Sequence, residues 1–86
     1  MHSISDFRPT LQAAIGYLRQ AGFASEADEL QKVLGNAWTS SSEMLGEIGT
    51  TILQVKRQLG SSLPIVVDQH FQSCLAEIRK VWPALR

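Results

Sequence analysis

The first place in this chain where chemistry could occur is a run of hydroxyl side chains beside a carboxylate. Residues 39–43 read TSSSE, and a serine can act as a nucleophile when a base lies within hydrogen-bond reach. The only imidazoles are His2 and His70, and no strand-turn-helix signature surrounds the serines. Ser40 and Glu43 instead have the spacing of a capping box, which marks the start of a helix. The segment therefore predicts a helix N-terminus and no catalytic residue.

His70 and Cys74 are the second candidate, because side chains four residues apart on a helix share one face and both types can bind a metal ion. Two ligands do not complete a site, and a third would have to come from Glu77 or from an acid on another helix. In the structural alternative, Cys74 packs as a small buried hydrophobic residue. His70 then lies at the edge of the core, bonded to a backbone carbonyl. We expect the structural role and predict no metal and no cofactor.

Glu43 and Glu47 form a like-charge pair four residues apart on one predicted helix. Acid pairs serve glycosidases and di-iron bundles, but a di-iron bundle needs Glu-x-x-His on two helices. No glutamate in this chain is followed by histidine at that offset. We therefore expect the two carboxylates to be solvated or, together with Thr50, to contact a basic patch on another protein.

Glycines and prolines divide the chain into four amphipathic segments with the period of a helix. The predicted connections have three to five residues, which favours antiparallel neighbours. The sequence therefore predicts one all-α domain over residues 1–86, an up-and-down antiparallel four-helix bundle of two helical hairpins, the second longer. The predicted helices run from Asp6 to Gly22, from Ser25 to Gly35, and from Ser40 to Gly60. The fourth starts after Ser61 and Ser62, has Pro64 in its first turn, and runs to Trp82.

The third predicted helix carries two rows of small or apolar residues. Gly46, Gly49 and Leu53 form one row, and each glycine costs about 1 kcal/mol relative to alanine inside a helix. Close approach of another helix or of a partner would offset that cost. The other row is a heptad seam. With the third and fourth helices expected to approach 20 residues each, the seam should exceed what the shorter hairpin covers, so we expect a homodimer. The seam consists of Leu45, Ile48, Ile52, Val55 and Leu59.

Composition excludes several classes of protein. Eight basic and eight acidic side chains cancel, which removes the positive field on which non-specific nucleic-acid binding depends. No apolar run approaches the ~20 residues of a membrane span. The single cysteine cannot form an internal disulfide, and no pattern at the first residues resembles a signal peptide. The sequence therefore predicts a cytoplasmic protein with no membrane contact.

The function that fits these features best is a non-enzymatic protein–protein interaction module, and a bacterial toxin-neutralising inhibitor or immunity-type protein is one role that requires only a rigid complementary face. The alternative is a small DNA-binding or transcription-regulatory helical domain that uses Arg57, Arg79, Lys80 and Arg86. These residues occur at helix ends, whereas DNA binding needs a basic helix face, so nucleic acid is the weaker prediction. Trp82 is expected to close the end of the bundle. The predicted partner-binding residues are Trp38, Glu43, Gly46, Glu47, Gly49 and Leu53.

Overall fold

The computed structural model describes residues 7–35 and 41–83 of the chain. These residues form the predicted up-and-down antiparallel four-helix bundle, whose second hairpin is the longer one. The second hairpin is longer mainly because of α3, which has 19 residues. The helices are α1 (Arg8–Gln20), α2 (Ala24–Gly35), α3 (Ser41–Leu59) and α4 (Ile65–Ile78), and the 3-10 turn Gly60–Ser62 follows α3.

Each helix of the described chain packs against two neighbours. The contacts join α1 with α2, α2 with α3, and α3 with α4, and α4 closes the bundle against α1. Within the described residues, the backbones of the diagonal pairs, α1 with α3 and α2 with α4, do not approach each other as closely. Because the connections are too short to cross the bundle, consecutive helices run antiparallel. The four helices therefore form a closed ring around one core, with α1 and α4 side by side.

The core is apolar, and each helix contributes the face that its hydrophobic periodicity predicts. Among the described residues no polar or charged side chain is buried. Complete burial of one large aliphatic or aromatic side chain contributes roughly 1.5–3 kcal/mol. None of the described helices combines the length and the hydropathy that a membrane span requires. The largest fully buried side chains are Leu11, Leu18, Leu30, Ile48, Ile52, Phe71, Leu75 and Ile78.

Two glycines end helices in the left-handed conformation, as their positions predict. Gly22 has φ +90° and Gly60 has φ +51°, a region that side chains with a Cβ rarely adopt. After α1, the Phe23 N–H donates to the Leu18 carbonyl at 2.9 Å and the Gly22 N–H donates to the Arg19 carbonyl at 3.1 Å. This pair of bonds is a Schellman motif, which satisfies carbonyls that the helix end leaves without a partner.

The predicted extent of α4 is wrong at its end. The helix stops at Ile78, four residues before Trp82, and has 14 residues. The chain then turns, so that the N–H groups of Val81 and Trp82 both donate to the Ile78 carbonyl, at 3.0 and 2.9 Å. Pro83 disfavours helical backbone at the residue before it, which is Trp82. Val81 and Trp82 are consequently 37% and 42% exposed rather than buried.

The expectation that the α3 seam exceeds its companions is also wrong. Leu45, Ile48, Ile52 and Val55 are all buried within the single chain, and Leu59 is partly buried against the core. The seam is covered because α2 and α4 pack on either side of it. Leu63, which follows the 3-10 turn, also packs against the core. A homodimer would therefore need a surface other than the seam.

Candidate interaction surface

Gly46 lies under the indole ring of Trp82. A Cβ atom at Gly46 would be 3.3 Å from Cε2 and 3.4 Å from Nε1 of Trp82. A close approach to this glycine was expected, and the structure supplies it from a side chain of the same chain. Trp82 nevertheless remains 42% exposed. The indole is thus in contact with α3 while much of its surface stays accessible.

The rest of the glycine row is turned toward the interior. Gly49 is buried, and Leu53 is partly buried against the core. On the same side of α3, Lys56 Nζ lies 3.1 Å from Asp68 Oδ1 of α4. The row therefore lines the contact between α3 and α4. The expectation that Gly49 belongs to an exposed surface is wrong, because Gly49 is buried within the single chain.

Glu43 and Glu47 are exposed on α3, as predicted. Together with Gly46 and Thr50 they follow the spacing i, i+3, i+4, i+7, which places all four on one side of the helix. The Thr50 Oγ1 donates to the Gly46 carbonyl at 2.9 Å, so its hydrogen is used within the helix. The predicted contact residue Trp38 and the predicted cap Ser40 lie outside the described residues. Glu43, Gly46, Glu47, Thr50 and Trp82 are called the Trp82 surface below.

His70 has the structural role that the sequence favours. Its Nδ1 lies 2.7 Å from the Val66 carbonyl oxygen, and because a carbonyl can only accept, Nδ1 carries the hydrogen. The imidazole also meets the ring of Tyr17 edge to face, with centroids 5.6 Å apart and an interplanar angle of 69°. These two contacts fix the histidine at the junction of α1 and α4.

Cys74 is fully buried, as predicted for a small hydrophobic residue. Burial raises the pKa of its thiol from 9.0 to about 11, against a smaller lowering by a backbone hydrogen bond. The thiolate is the form that attacks electrophiles and binds metals, so this position keeps the sulfur in its less reactive form. Among the described residues no group of three or more His, Cys, Asp and Glu side chains could hold a metal ion.

The basic residues named for DNA binding are spread over two helix ends. Arg57 is exposed in the last turn of α3, and Arg79 and Lys80 follow the end of α4. Lys80 Nζ lies 2.7 Å from Glu77 Oε2, so one of these charges is paired. Arg86 lies outside the described residues. In the part of the chain that the structure shows, these side chains do not line one exposed helix face.

A second exposed surface was not predicted. Tyr17 on α1 is 42% exposed and Val66 on α4 is 36% exposed, and both flank His70. The hydrophobic periodicity assigned neither residue a function, because each lies beside the buried stripe of its helix. The signal that could have revealed them is the distribution of charge, since residues 9–18 and 69–76 contain no Asp, Glu, Lys or Arg.

The contact between Gly46 and Trp82 can be tested by adding a single methyl group. Gly16→Ala in α1 is expected to raise the free energy of unfolding by about 1 kcal/mol, because a Cβ there would meet nothing within 4 Å. Gly46→Ala should raise the free energy of unfolding by less, since the added methyl group must displace Trp82. Urea denaturation of both variants measures the difference. An equal increase in the free energy of unfolding for the two variants would contradict the contact between Trp82 and α3.

Two surfaces of the bundle thus present aromatic side chains to solvent. The Trp82 surface lies on α3 and on the segment after α4, and the second surface lies on α1 and α4. A separate open depression of about 290 Å³ between α2 and α3 is lined by Glu29, Lys32, Val33, Thr51 and Gln54. Comparisons with protein-family models, with curated proteins and with solved structures find no match for this chain.

Proposed function

We propose that this protein is a non-enzymatic protein-binding module that contacts its partner through the Trp82 surface. The observation that carries the proposal is the position of Trp82, half exposed and in contact with Gly46 of α3. Tryptophan is among the residues most enriched at the energetic centres of protein interfaces. A side chain already held against a helix loses less conformational entropy when a partner covers it.

The chemistry around Trp82 favours a partner with a basic patch. Glu43 and Glu47 are exposed on the same side of α3 as Gly46, and opposite charge across an interface speeds association and fixes its register. Neutralisation of a bacterial toxin, as an inhibitor or immunity-type protein, is the specific role that we propose within this class. The net charge of zero favours a target other than a nuclease, because binding to a nuclease favours a strongly acidic inhibitor.

The test uses three baits that differ by one side chain. The wild-type chain, Trp82→Ala and the control Gln54→Ala are immobilised, and captured proteins are identified by mass spectrometry and then titrated as purified partners. We expect wild type and Gln54→Ala to bind alike. Trp82→Ala should bind at least ~30-fold more weakly, since truncation of a central tryptophan costs about 2 kcal/mol or more. Circular dichroism verifies that each bait keeps its helices.

Glu47→Lys adds an electrostatic arm to the same experiment. Reversal of this charge should slow association with a basic partner, and the effect should shrink as salt is raised. Equal binding by wild type and Trp82→Ala would contradict the proposal. A salt-dependent shift with duplex DNA at about 0.1 M salt would instead support the alternative, a DNA-binding or regulatory domain.

A further inference from the structure

The backbone that follows α4 is wound more tightly than an α-helix. The Lys80 N–H donates to the Glu77 carbonyl at 3.2 Å, and the Val81 N–H donates to the Ile78 carbonyl at 3.0 Å. Both bonds span three residues, which is the spacing of a 3-10 helix, whereas α-helical bonds span four. Residues 79–82, called the overwound turn below, therefore follow the helical path with a larger rotation per residue.

This winding decides which side of α4 carries Trp82. In a continued α-helix, position 82 would follow Leu75 by seven residues and Ile78 by four, and it would extend their buried stripe. Each residue of 3-10 helix adds roughly 20° to the α-helical rotation, so three of them turn Trp82 roughly 60° further round the axis. Asp68, which pairs with Lys56 of α3, lies roughly 40° from that α-helical position in the same direction. The extra rotation therefore carries the indole from the core side of α4 to the side that faces α3.

The local sequence does not account for the tighter winding. Residues 79–81 contain no glycine and no proline, and Pro83 restricts the backbone of Trp82, the residue before it. Glu77 and Lys80 are ion-paired at 2.7 Å, and side chains three residues apart eclipse in a 3-10 helix. The Lys80 side chain is 47% exposed, however, and such a pair contributes little. The cause is therefore sought in a contact with another helix.

That contact is the one between Trp82 and Gly46. A Cβ atom at Gly46 would lie 3.3 Å from Cε2 and 3.5 Å from Cζ2 of the indole, so a longer side chain would occupy the space in which the ring lies. We infer that Gly46 selects the overwound turn. Because Gly46 has no side chain, α3 leaves room for the indole, and only the extra rotation brings the indole there. With a leucine side chain at position 46, α4 is expected to continue as an α-helix through Val81.

Gly46 is then a positioning residue for the Trp82 surface. The indole lies over Gly46 and separates it from any partner that covers Trp82, so Gly46 acts through Trp82 alone. This step rests on the proposed function, because it concerns how the central residue of that surface is presented. The conformation of the turn is a property of the free chain and does not depend on a partner.

Nuclear magnetic resonance of the free protein tests the inference. In wild type we expect nuclear Overhauser effects between the Gly46 Hα protons and the Trp82 ring. We also expect effects from Hα to N–H two residues ahead within residues 78–81, as in a 3-10 helix. Gly46→Leu should lose the ring contact and should gain the α-helical effect from the Glu77 Hα to the Val81 N–H. Gly16→Leu is the matched control, because a Cβ at Gly16 would meet nothing within 4 Å, and it should keep the wild-type pattern.

Trp82→Ala tests the same contact from the other side. It leaves Gly46 unchanged, so it keeps the inference testable if Gly46→Leu fails to fold, and it should also convert residues 79–81 to an α-helix. Lys80→Gln removes the local ion pair and should keep the overwound turn. Persistence of the overwound turn in either Trp82→Ala or folded Gly46→Leu would overturn the inference, and so would its loss in Lys80→Gln.

The partner captured by the Trp82 surface supplies a separate measurement. Gly46→Leu should weaken its binding as much as Trp82→Ala does, at least ~30-fold. The double variant should bind no more weakly than Trp82→Ala, because both substitutions remove the same contact. Loss of the overwound turn without loss of binding would support this inference and contradict the proposed function, so the two can fail separately.

Discussion

Replacement of Phe71 by alanine is expected to lower the free energy of unfolding by about 3–5 kcal/mol. Phe71 is fully buried and stands first among the buried side chains by volume, so its removal loses transfer free energy and leaves a cavity. A domain of this size has roughly 5–10 kcal/mol of stability in total. Urea denaturation followed by circular dichroism should therefore show a large fall in the midpoint.

The matched control for Phe71 is the same substitution at Phe23. Phe23 lies between α1 and α2 and is only partly buried against the core, so Phe23→Ala loses less burial and leaves a site open to water. We expect its effect to be less than half as large. Equal losses at the two positions would show that Phe71 does not occupy the centre of the core.

The stability of the protein should fall at high pH because of Cys74. The folded pKa of its thiol, about 11, lies above the ordinary value of 9.0, so the folded state holds the proton more tightly than the unfolded state. This contribution is fully present below pH 9 and is lost as the pH rises toward 11. At about 1.4 kcal/mol per pKa unit, the loss amounts to roughly 2 to 3 kcal/mol.

Comparison with Cys74→Ala isolates this effect from other groups that titrate in the same range. The variant should be less stable than wild type at neutral pH, because it leaves a cavity. The difference between the two proteins should shrink from pH 9 to pH 11, since only wild type carries the thiol. Parallel curves of unfolding free energy against pH would show that burial does not hold the proton on Cys74.

The helix boundaries that the sequence predicts best are those set by a local cause. Gly22 and Gly60 adopt positive φ, and glycine is favoured there whatever surrounds it. Pro83 disfavours helical backbone at the end of α4 locally, but the place to which the turn after Ile78 brings Trp82, over Gly46 of another helix, depends on the folded chain. Hydrophobic periodicity continues through Val81 and Trp82 and therefore could not reveal that turn.

The burial of the α3 seam shows that hydrophobic periodicity does not determine which elements cover a buried helix face. The spacing from Leu45 to Leu59 predicts which side of α3 is buried, and that side is buried. Periodicity does not say which element covers it. Helix lengths suggest an uncovered excess, and this inference fails because α2 and α4 pack against α3 and the seam is buried within the single chain.

The candidate sites were predictable to different degrees. The roles of His70 and Cys74 followed from residue type and helix position, and the structure confirms both. The glycine row was identified from its unfavourable helix propensity, yet only the folded chain shows that Trp82 lies over Gly46 and that Gly49 is buried. Tyr17 and Val66 were missed, because exposure at the junction of two helices depends on how α1 and α4 meet.

The closed ring of helices has a consequence for the order in which the helices follow one another along the chain. Tyr17 lies opposite His70 in antiparallel neighbours, so the beginning of α1 and the end of α4 share one end of the bundle. A short linker could join them, and new termini could open at the exposed turn Gly60–Ser62. Such a circular permutant, with α4 leading, would keep every pair of adjacent helices. Folding of that permutant would show that no helix of this bundle has to be synthesised first.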